Sequence, residues 1–101
     1  MIRHIVMWRL KDSFEGRTKS QMIRELKDRL EILPRLVPGV LHLEVGTHLS
    51  TPTDTSCDLV LVTAFKDRSS LAVYDAHPEH EKVKPFVKAR TVERRVVDYE
   101  I

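Results

Sequence analysis

Residues 2–10 alternate between two sets of positions, which is the period of a β-strand. One set of alternate positions holds Ile2, His4, Val6, Trp8 and Leu10. The positions between them hold Ile5 and Met7, flanked by arginines. Because successive side chains of a strand point to opposite sides of a sheet, this segment is predicted to be a strand with apolar side chains on both faces.

A helix is predicted for residues 18–33. Thr18 and Gln21 have the spacing of a capping box, in which each side chain bonds the other residue's free backbone N–H. Apolar residues then recur at helical spacing and form one stripe, made of Met22, Ile23, Leu26, Leu30 and Leu33. The stripe predicts one buried helix face, and Pro34 opposes continuation of the helix.

Two further strands follow the turn signal at residues 38–39, which are Pro-Gly. Residues 40–49 alternate apolar and polar side chains, whereas residues 58–65 are apolar on both faces. A polar connection over residues 50–56 is predicted to join the two strands.

The second helical region divides in two. Ser69 or Ser70 is predicted to cap a short helix that ends near Ala76. Pro78 is predicted to open the next helix, because its missing N–H costs nothing at the first helical position, and His77 is then the N-cap.

Pro85 is predicted to kink or end that helix, and residues 91–99 are predicted to form the last strand. The element order is therefore β-α-β-β-α-β, which is the ferredoxin-like pattern. We predict a single α+β domain over residues 1–101. It has a four-stranded antiparallel sheet with its helices on one face.

Two helices cover one face of such a sheet, yet the first and third strands carry apolar residues on both faces. The second face therefore needs a cover. The simplest cover is the same face of another copy of the chain, so we predict a two-fold homodimer with a barrel-like interior between the sheets.

Composition and charge exclude several classes of function. The 17 basic and 15 acidic side chains give a net charge of +2, which is too balanced to indicate nucleic acid binding. Cys57 is the single cysteine, so no intrachain disulfide forms. No apolar run is long enough for a signal peptide or a membrane span, and we expect a cytoplasmic protein without a membrane or nucleic acid partner.

Five segments carry a resemblance to a known family. They are residues 1–10, 38–46, 58–65, 74–80 and 96–99, which read MIRHIVMWRL, PGVLHLEVG, DLVLVTAF, YDAHPEH and VVDY. In content, order and spacing they resemble the stress-responsive α/β-barrel (Dabb) family. The resemblance implies a homodimeric α+β barrel.

A plant polyketide cyclase of the Dabb family closes its product ring without a metal or an organic cofactor, using a histidine as base and a tyrosine that places the substrate. By motif, the resemblance assigns these roles to His80 and Tyr74 and puts His4 on the cavity wall. Leu59 stands where that enzyme has a further pocket histidine, and the first helix is polar where the enzyme presents aromatics. The resemblance therefore implies a cavity with a His/Tyr pair, and not polyketide cyclisation itself.

The residue types agree with this assignment. His80 can act as a general base, because an imidazole pKa near 6.5 leaves a neutral ring available at pH 7. Tyr74 can donate its hydroxyl to a developing oxyanion. Both also have structural interpretations, as a histidine bonded to a backbone carbonyl and as a packing tyrosine. The predicted substrate contacts are strand residues, namely His4, Trp8, Leu59 and Leu61.

No metal and no cofactor are predicted. His77 and His80 stand three residues apart, but no further ligand completes a metal site beside them. The sequence has no dinucleotide fingerprint and no phosphate loop, and Cys57 is interpreted as a packing residue. A basic group near the C-terminus forms either a solvated surface or an attraction for an acidic ligand. Its members are Lys82, Lys84, Lys88, Arg90, Arg94 and Arg95.

Three functions are open on the sequence. The first is a cofactor-independent lyase or cyclase that acts on a small carbonyl compound. The second is a non-catalytic, stress-responsive dimer that binds a small apolar ligand or has a structural role. The third, by analogy of fold alone, is a cofactor-free monooxygenase. A cavity on which His80 and Tyr74 converge would favour the first over a structural role.

Overall fold

The computed structural model describes residues 1–49, 51 and 53–101. These residues form six strands and four helices. In chain order the elements are β1 (Ile2–Leu10), β2 (Ser13–Phe14), β3 (Arg17–Thr18), α1 (Lys19–Glu31), α2 (Leu33–Leu36), β4 (His42–Thr47), β5 (Leu59–Phe65), α3 (Arg68–Ala76), α4 (Pro78–Arg90) and β6 (Thr91–Glu100). None of the helices in these residues is long and apolar enough to cross a membrane.

Four strands form one antiparallel sheet in the order β4-β5-β1-β6. β1 is central, and its Val6 lies opposite Leu61 of β5 on one side and Val96 of β6 on the other. The short β2 and β3 form a separate hairpin that the sequence pattern did not predict. The predicted ferredoxin-like α+β fold, with a four-stranded antiparallel sheet, is confirmed.

The core lies between this sheet and the helices. Its sheet side consists of inward-facing residues of β1 and β5, which are Val6, Trp8, Leu10, Leu59, Leu61 and Phe65. On the helix side, Met22, Leu26 and Leu30 of α1 are buried together with Leu33 of α2. The predicted apolar stripe is therefore confirmed, although Ile23 is only partly buried.

No helix of the described residues covers the other face of the sheet. Ile5 is paired there with Val62 and Val97, and Met7 and Tyr99 are 38% and 42% exposed. The alternation in β1 thus does place apolar side chains on both faces, and one of the two faces is left as an apolar surface.

The first turns of α1 and α3 are fixed by local hydrogen bonds. The predicted capping box is confirmed, since the Gln21 N–H donates to Thr18 Oγ1 at 3.2 Å and the Thr18 N–H donates to Gln21 Oε1 at 2.9 Å. The predicted cap of α3 by Ser69 or Ser70 is wrong. Asp67 caps α3, because its carboxylate accepts the Ser70 N–H at 2.8 Å.

Pro85 lies inside α4, which continues to Arg90, so of the two predicted effects, a kink or a helix end, the helix end is wrong. A proline inside a helix removes one backbone hydrogen bond and strains the preceding turn. Val83 and Val87, on either side of Pro85, are both buried in the core. Their packing holds the two halves of α4 on the sheet, which offsets the local cost.

β1 has the predicted bounds, and the bounds of the other three sheet strands differ from prediction by one or two residues. β4 (His42–Thr47) is shorter than the predicted segment 40–49, and β6 extends one residue beyond residue 99. The predicted polar connection 50–56 lies partly outside the described residues, which exclude Ser50 and Pro52.

Candidate functional site

A cavity of about 630 Å³ lies on the helix-covered side of the sheet. β1, β6 and α4 supply most of its wall, and α1, α3 and β5 supply one residue each. The apolar part of the wall consists of Val6, Trp8, Leu30, Leu61, Val83, Val87 and Val92. The cavity is therefore formed within one chain. It lies away from the barrel interior that the sequence predicted between two sheets.

The sequence at the start of α4 places His80. His77 is the N-cap, with its Nδ1 accepting the Glu79 N–H at 3.1 Å, and Pro78 is the first helical residue, so both of these predictions are confirmed. His80 then lies in the first turn and lines the cavity. Its Nδ1 is 3.0 Å from the main-chain carbonyl oxygen of Asp75 near the end of α3.

This contact determines which nitrogen of His80 carries the proton. A carbonyl oxygen only accepts, so Nδ1 donates and the neutral ring keeps its lone pair on Nε2. In the described part of the chain, Nε2 has no hydrogen-bond partner. Burial lowers the pKa of His80 below its ordinary 6.5, against an opposing effect of the Asp75 carbonyl. At pH 7 His80 is therefore a neutral base with its acceptor nitrogen free.

Tyr74 lies beside His80 in the core. Its side chain is 1% exposed, and its ring centroid is 4.3 Å from that of His80 and 5.0 Å from that of Phe65. The Tyr74 hydroxyl is buried and has no hydrogen-bond partner among the described residues. Burial, with a smaller effect of the Asp75 charge, raises the pKa of Tyr74 to about 12. The two rings meet, but the cavity wall includes His80 and not Tyr74.

His4 reaches the same cavity from β1 and is held by a carboxylate. Its Nδ1 is 2.5 Å from Oδ1 of Asp98, the residue directly opposite it in β6. A carboxylate that bonds one imidazole nitrogen fixes the orientation of the ring and leaves the other nitrogen for a ligand. The structure thus brings two histidines, His4 and His80, to one cavity.

The remaining predicted substrate contacts separate into two groups. Trp8 and Leu61 line the cavity. Leu59 does not line it, and is 2% exposed in the core beside Trp8, its pairing partner in β1. The indole N–H of Trp8 is buried without a hydrogen-bond partner in the described residues, so Trp8 offers the cavity its ring surface.

Charged residues of α3, α4 and β6 surround the mouth of the cavity. Asp75 is paired with Lys84 at 3.4 Å, and Glu93 accepts a hydrogen bond from Arg95 at 3.1 Å. The other two charged residues at the mouth are Lys88 and Arg94. Neither of these cations has an ion-pair or hydrogen-bond partner within residues 1–49, 51 and 53–101.

The described residues contain no cluster of three or more His, Cys, Asp or Glu side chains that could hold a metal ion. His77 and His80, the pair considered from the sequence, each use Nδ1 in a hydrogen bond with the main chain. Cys57 is a partly buried free thiol.

Comparison with known families assigns the chain. The family model described as the Stress responsive A/B Barrel Domain, Dabb, matches residues 2–101. The chain belongs to the Dabb family. Among curated proteins, none matches the chain significantly.

Solved structures share the fold of this Dabb chain over nearly its whole length. A dimeric ferredoxin-like protein of unknown function from Bacteroides fragilis is 25% identical, with a TM-score of 0.85 over 99% of this chain and 95% of its own. Hydroxynitrile lyase from Passiflora edulis is 19% identical, with a TM-score of 0.80 over 99% and 92%. An antibiotic biosynthesis monooxygenase is 17% identical, with a TM-score of 0.74 over 100% and 98%. At these identities the two enzymes show a shared fold alone.

Sequence reasoning on this Dabb chain missed two groups of the site. Asp98 meets His4 only because β6 pairs with β1 in one particular register. Asp75 acts through its main-chain carbonyl, which no residue type reveals. A register for β1 and β6, inferred from their apolar residues, would have been the one signal for Asp98.

Proposed function

We propose that this Dabb protein is a homodimer that binds a small carbonyl compound in the cavity and acts on it as a cofactor-independent lyase or cyclase. The observation that carries the proposal is the state of His80. A neutral imidazole, with Nδ1 committed to a backbone carbonyl and Nε2 free, lines an apolar cavity of about 630 Å³. That size is within the range of small-molecule sites.

In the proposed reaction, Nε2 of His80 removes a proton from the carbon next to a carbonyl group. The electron pair of that C–H bond moves into the carbonyl, giving an enolate and a His80 imidazolium. The enolate carbon then attacks a second carbonyl in a cyclase, and the imidazolium returns a proton to the new alkoxide. A lyase uses the same base in the cleavage direction.

Of the two predicted roles, stabilisation of the oxyanion by Tyr74 has less support than proton removal by His80. The raised pKa keeps the Tyr74 hydroxyl protonated, and thus a donor, at pH 7. That hydroxyl is buried, so donation to a ligand requires the side chain to move toward the cavity. His4, oriented by Asp98 on the cavity wall, is an alternative group for this role.

The homodimer is supported by two observations. The Bacteroides fragilis relative, at 25% identity, is dimeric. In this chain Met7, Val97 and Tyr99 are exposed on the sheet face opposite the described helices. A second copy of the same face would bury them in a two-fold contact. The cytoplasmic location and the single-domain organisation stay predictions from the sequence.

The test measures proton abstraction without assuming the natural substrate. Phenylacetone is incubated with the protein in D₂O, and deuterium incorporation next to the carbonyl is followed by NMR. We expect His80→Gln to lower the protein-catalysed rate by about 100-fold or more, the usual contribution of a general base. His42→Gln is the matched control, because His42 is exposed on β4 and away from the cavity. Equal exchange by the two variants would refute His80 as the base.

A second candidate, a ligand-binding dimer without catalysis, is favoured by the burial of the Tyr74 hydroxyl, because only one member of the predicted pair reaches the cavity. In that case phenylacetone binds, exchange is not accelerated, and cleavage of mandelonitrile to benzaldehyde and hydrogen cyanide is not detected. The monooxygenase alternative is supported by the fold alone.

A further inference from the structure

The charges at the cavity mouth are unevenly paired. Both carboxylates there, Asp75 and Glu93, already have a cation beside them. Lys88 of α4 and Arg94 of β6 have no anionic partner in the described residues, although both line the cavity. Two cations with no counter-charge next to an apolar wall favour an anion at this point.

These cations lie at the end of the cavity away from the histidines. Lys88 follows His80 by eight residues on α4, which is about 12 Å along the axis at 1.5 Å per residue. The rotation leaves the two residues about 80° apart around the axis, and both line the cavity. Arg94 is directly opposite Trp8 in the β1–β6 pairing, whereas His4 lies four residues earlier in β1, about 13 Å away. The wall between the two ends is mainly apolar.

We propose that the ligand of this cavity is an elongated organic anion, with an apolar or aromatic body and a carboxylate that binds between Lys88 and Arg94. The proposal deepens the proposed function, and it rests on the part of that function which makes the cavity a ligand site. It does not require His80 to be catalytic.

The chemistry of the two cations suits a carboxylate. The guanidinium of Arg94 offers two parallel N–H donors to the two oxygens, and the ammonium of Lys88 adds a point charge. The apolar body then covers the Trp8 ring and the wall formed by Leu61 and Val87. A ligand of this length would place its other end near His80.

Binding is measured through intrinsic fluorescence, because Trp8 is the single tryptophan and lines the cavity. The probes are 4-phenylbutyrate and its uncharged primary amide. We expect the carboxylate to bind about tenfold more tightly than the amide, as for one charge-assisted hydrogen bond in a partly solvated site. Raising the salt concentration should reduce this difference.

Substitutions test the two cations separately. Lys88→Met and Arg94→Met should each weaken carboxylate binding by about tenfold and change amide binding by less than about twofold. Lys82→Met is the control, because it removes the same charge from the same helix at a position outside the cavity wall.

The outcomes separate this proposal from the proposed function. If both probes bind equally and neither variant changes the ratio, the anion site is overturned and the cavity stays a ligand site. If neither 4-phenylbutyrate nor its amide changes Trp8 fluorescence, and equilibrium dialysis detects no binding of either, the anion site and the proposed function of the cavity are both overturned. If the carboxylate binds through Lys88 and Arg94 while His80→Gln leaves proton exchange unchanged, the anion site stands and the catalytic function fails.

Discussion

Removing the buried hydroxyl of Tyr74 should stabilise the protein. Tyr74→Phe keeps the ring that packs on Phe65 and His80, and it deletes an oxygen that has no hydrogen-bond partner in the described residues. Leaving such a group unpaired in the interior costs about 1–3 kcal/mol. Because the loss of the oxygen also leaves a small void, we expect a net gain near the lower limit, about 1 kcal/mol.

The gain is measured by urea unfolding at fixed protein concentration, with Trp8 fluorescence as the signal. A gain of about 1 kcal/mol moves the midpoint by about 0.5 M at the slope typical of a small domain, and it raises Tm by about 4 °C. Ser13→Ala, which removes a hydroxyl from an exposed residue of β2, should change stability by less than about 0.5 kcal/mol.

A loss of about 1 kcal/mol or more in Tyr74→Phe would refute this reasoning, because it would mean that the hydroxyl has a partner in the folded protein. The same variant also informs the mechanism. If the Tyr74 hydroxyl moves to meet a substrate carbonyl, Tyr74→Phe should be more stable and slower in deuterium exchange. A hydroxyl with no part in the reaction would give a more stable protein with an unchanged rate.

Two further predictions concern assembly and pH. Met7→Glu should convert the proposed dimer to a monomer in light scattering, because it buries a charge in the contact, whereas Leu36→Glu on exposed α2 should not; a dimeric Met7→Glu would contradict the contact face. The exchange rate should fall on the acid side with a midpoint below pH 6.5, because the folded-state pKa of His80 is lowered. Stability should likewise fall as pH drops below 6.5, since the unfolded chain takes up that proton first. A midpoint of the exchange rate at or above pH 6.5 would contradict the first statement, and stability that does not fall below pH 6.5 would contradict the second.

Local sequence signals predicted the fold well where the structure of an element depends only on residues within or next to it. The Thr18/Gln21 box and the start of α4 at Pro78 depend on hydrogen bonds within a few residues, and both are as predicted. The α3 cap was wrong because Asp67, Ser69 and Ser70 are all good capping residues. Which of them takes the position depends on where the chain leaves β5.

The location of the cavity could not be predicted from the sequence, for a different reason. β1 and β5 are apolar on both faces, so alternation alone does not tell which face receives the helices. The tyrosine–histidine segment was identified from its motif, yet motif and spacing do not determine whether the Tyr74 hydroxyl is sealed or open. The His4–Asp98 contact depends on pairing between residues 94 positions apart.

The carbonyl oxygen of Asp75 accepts hydrogen bonds from both His80 and Lys84, each at 3.0 Å. Every amino acid at position 75 would supply that same oxygen. The tautomer of His80 is thus determined by the main chain where α3 is followed by α4. It can stay the same when the surrounding side chains are substituted. A search for related sites should therefore compare the path of the main chain around the base, because the residue types beside it are free to change.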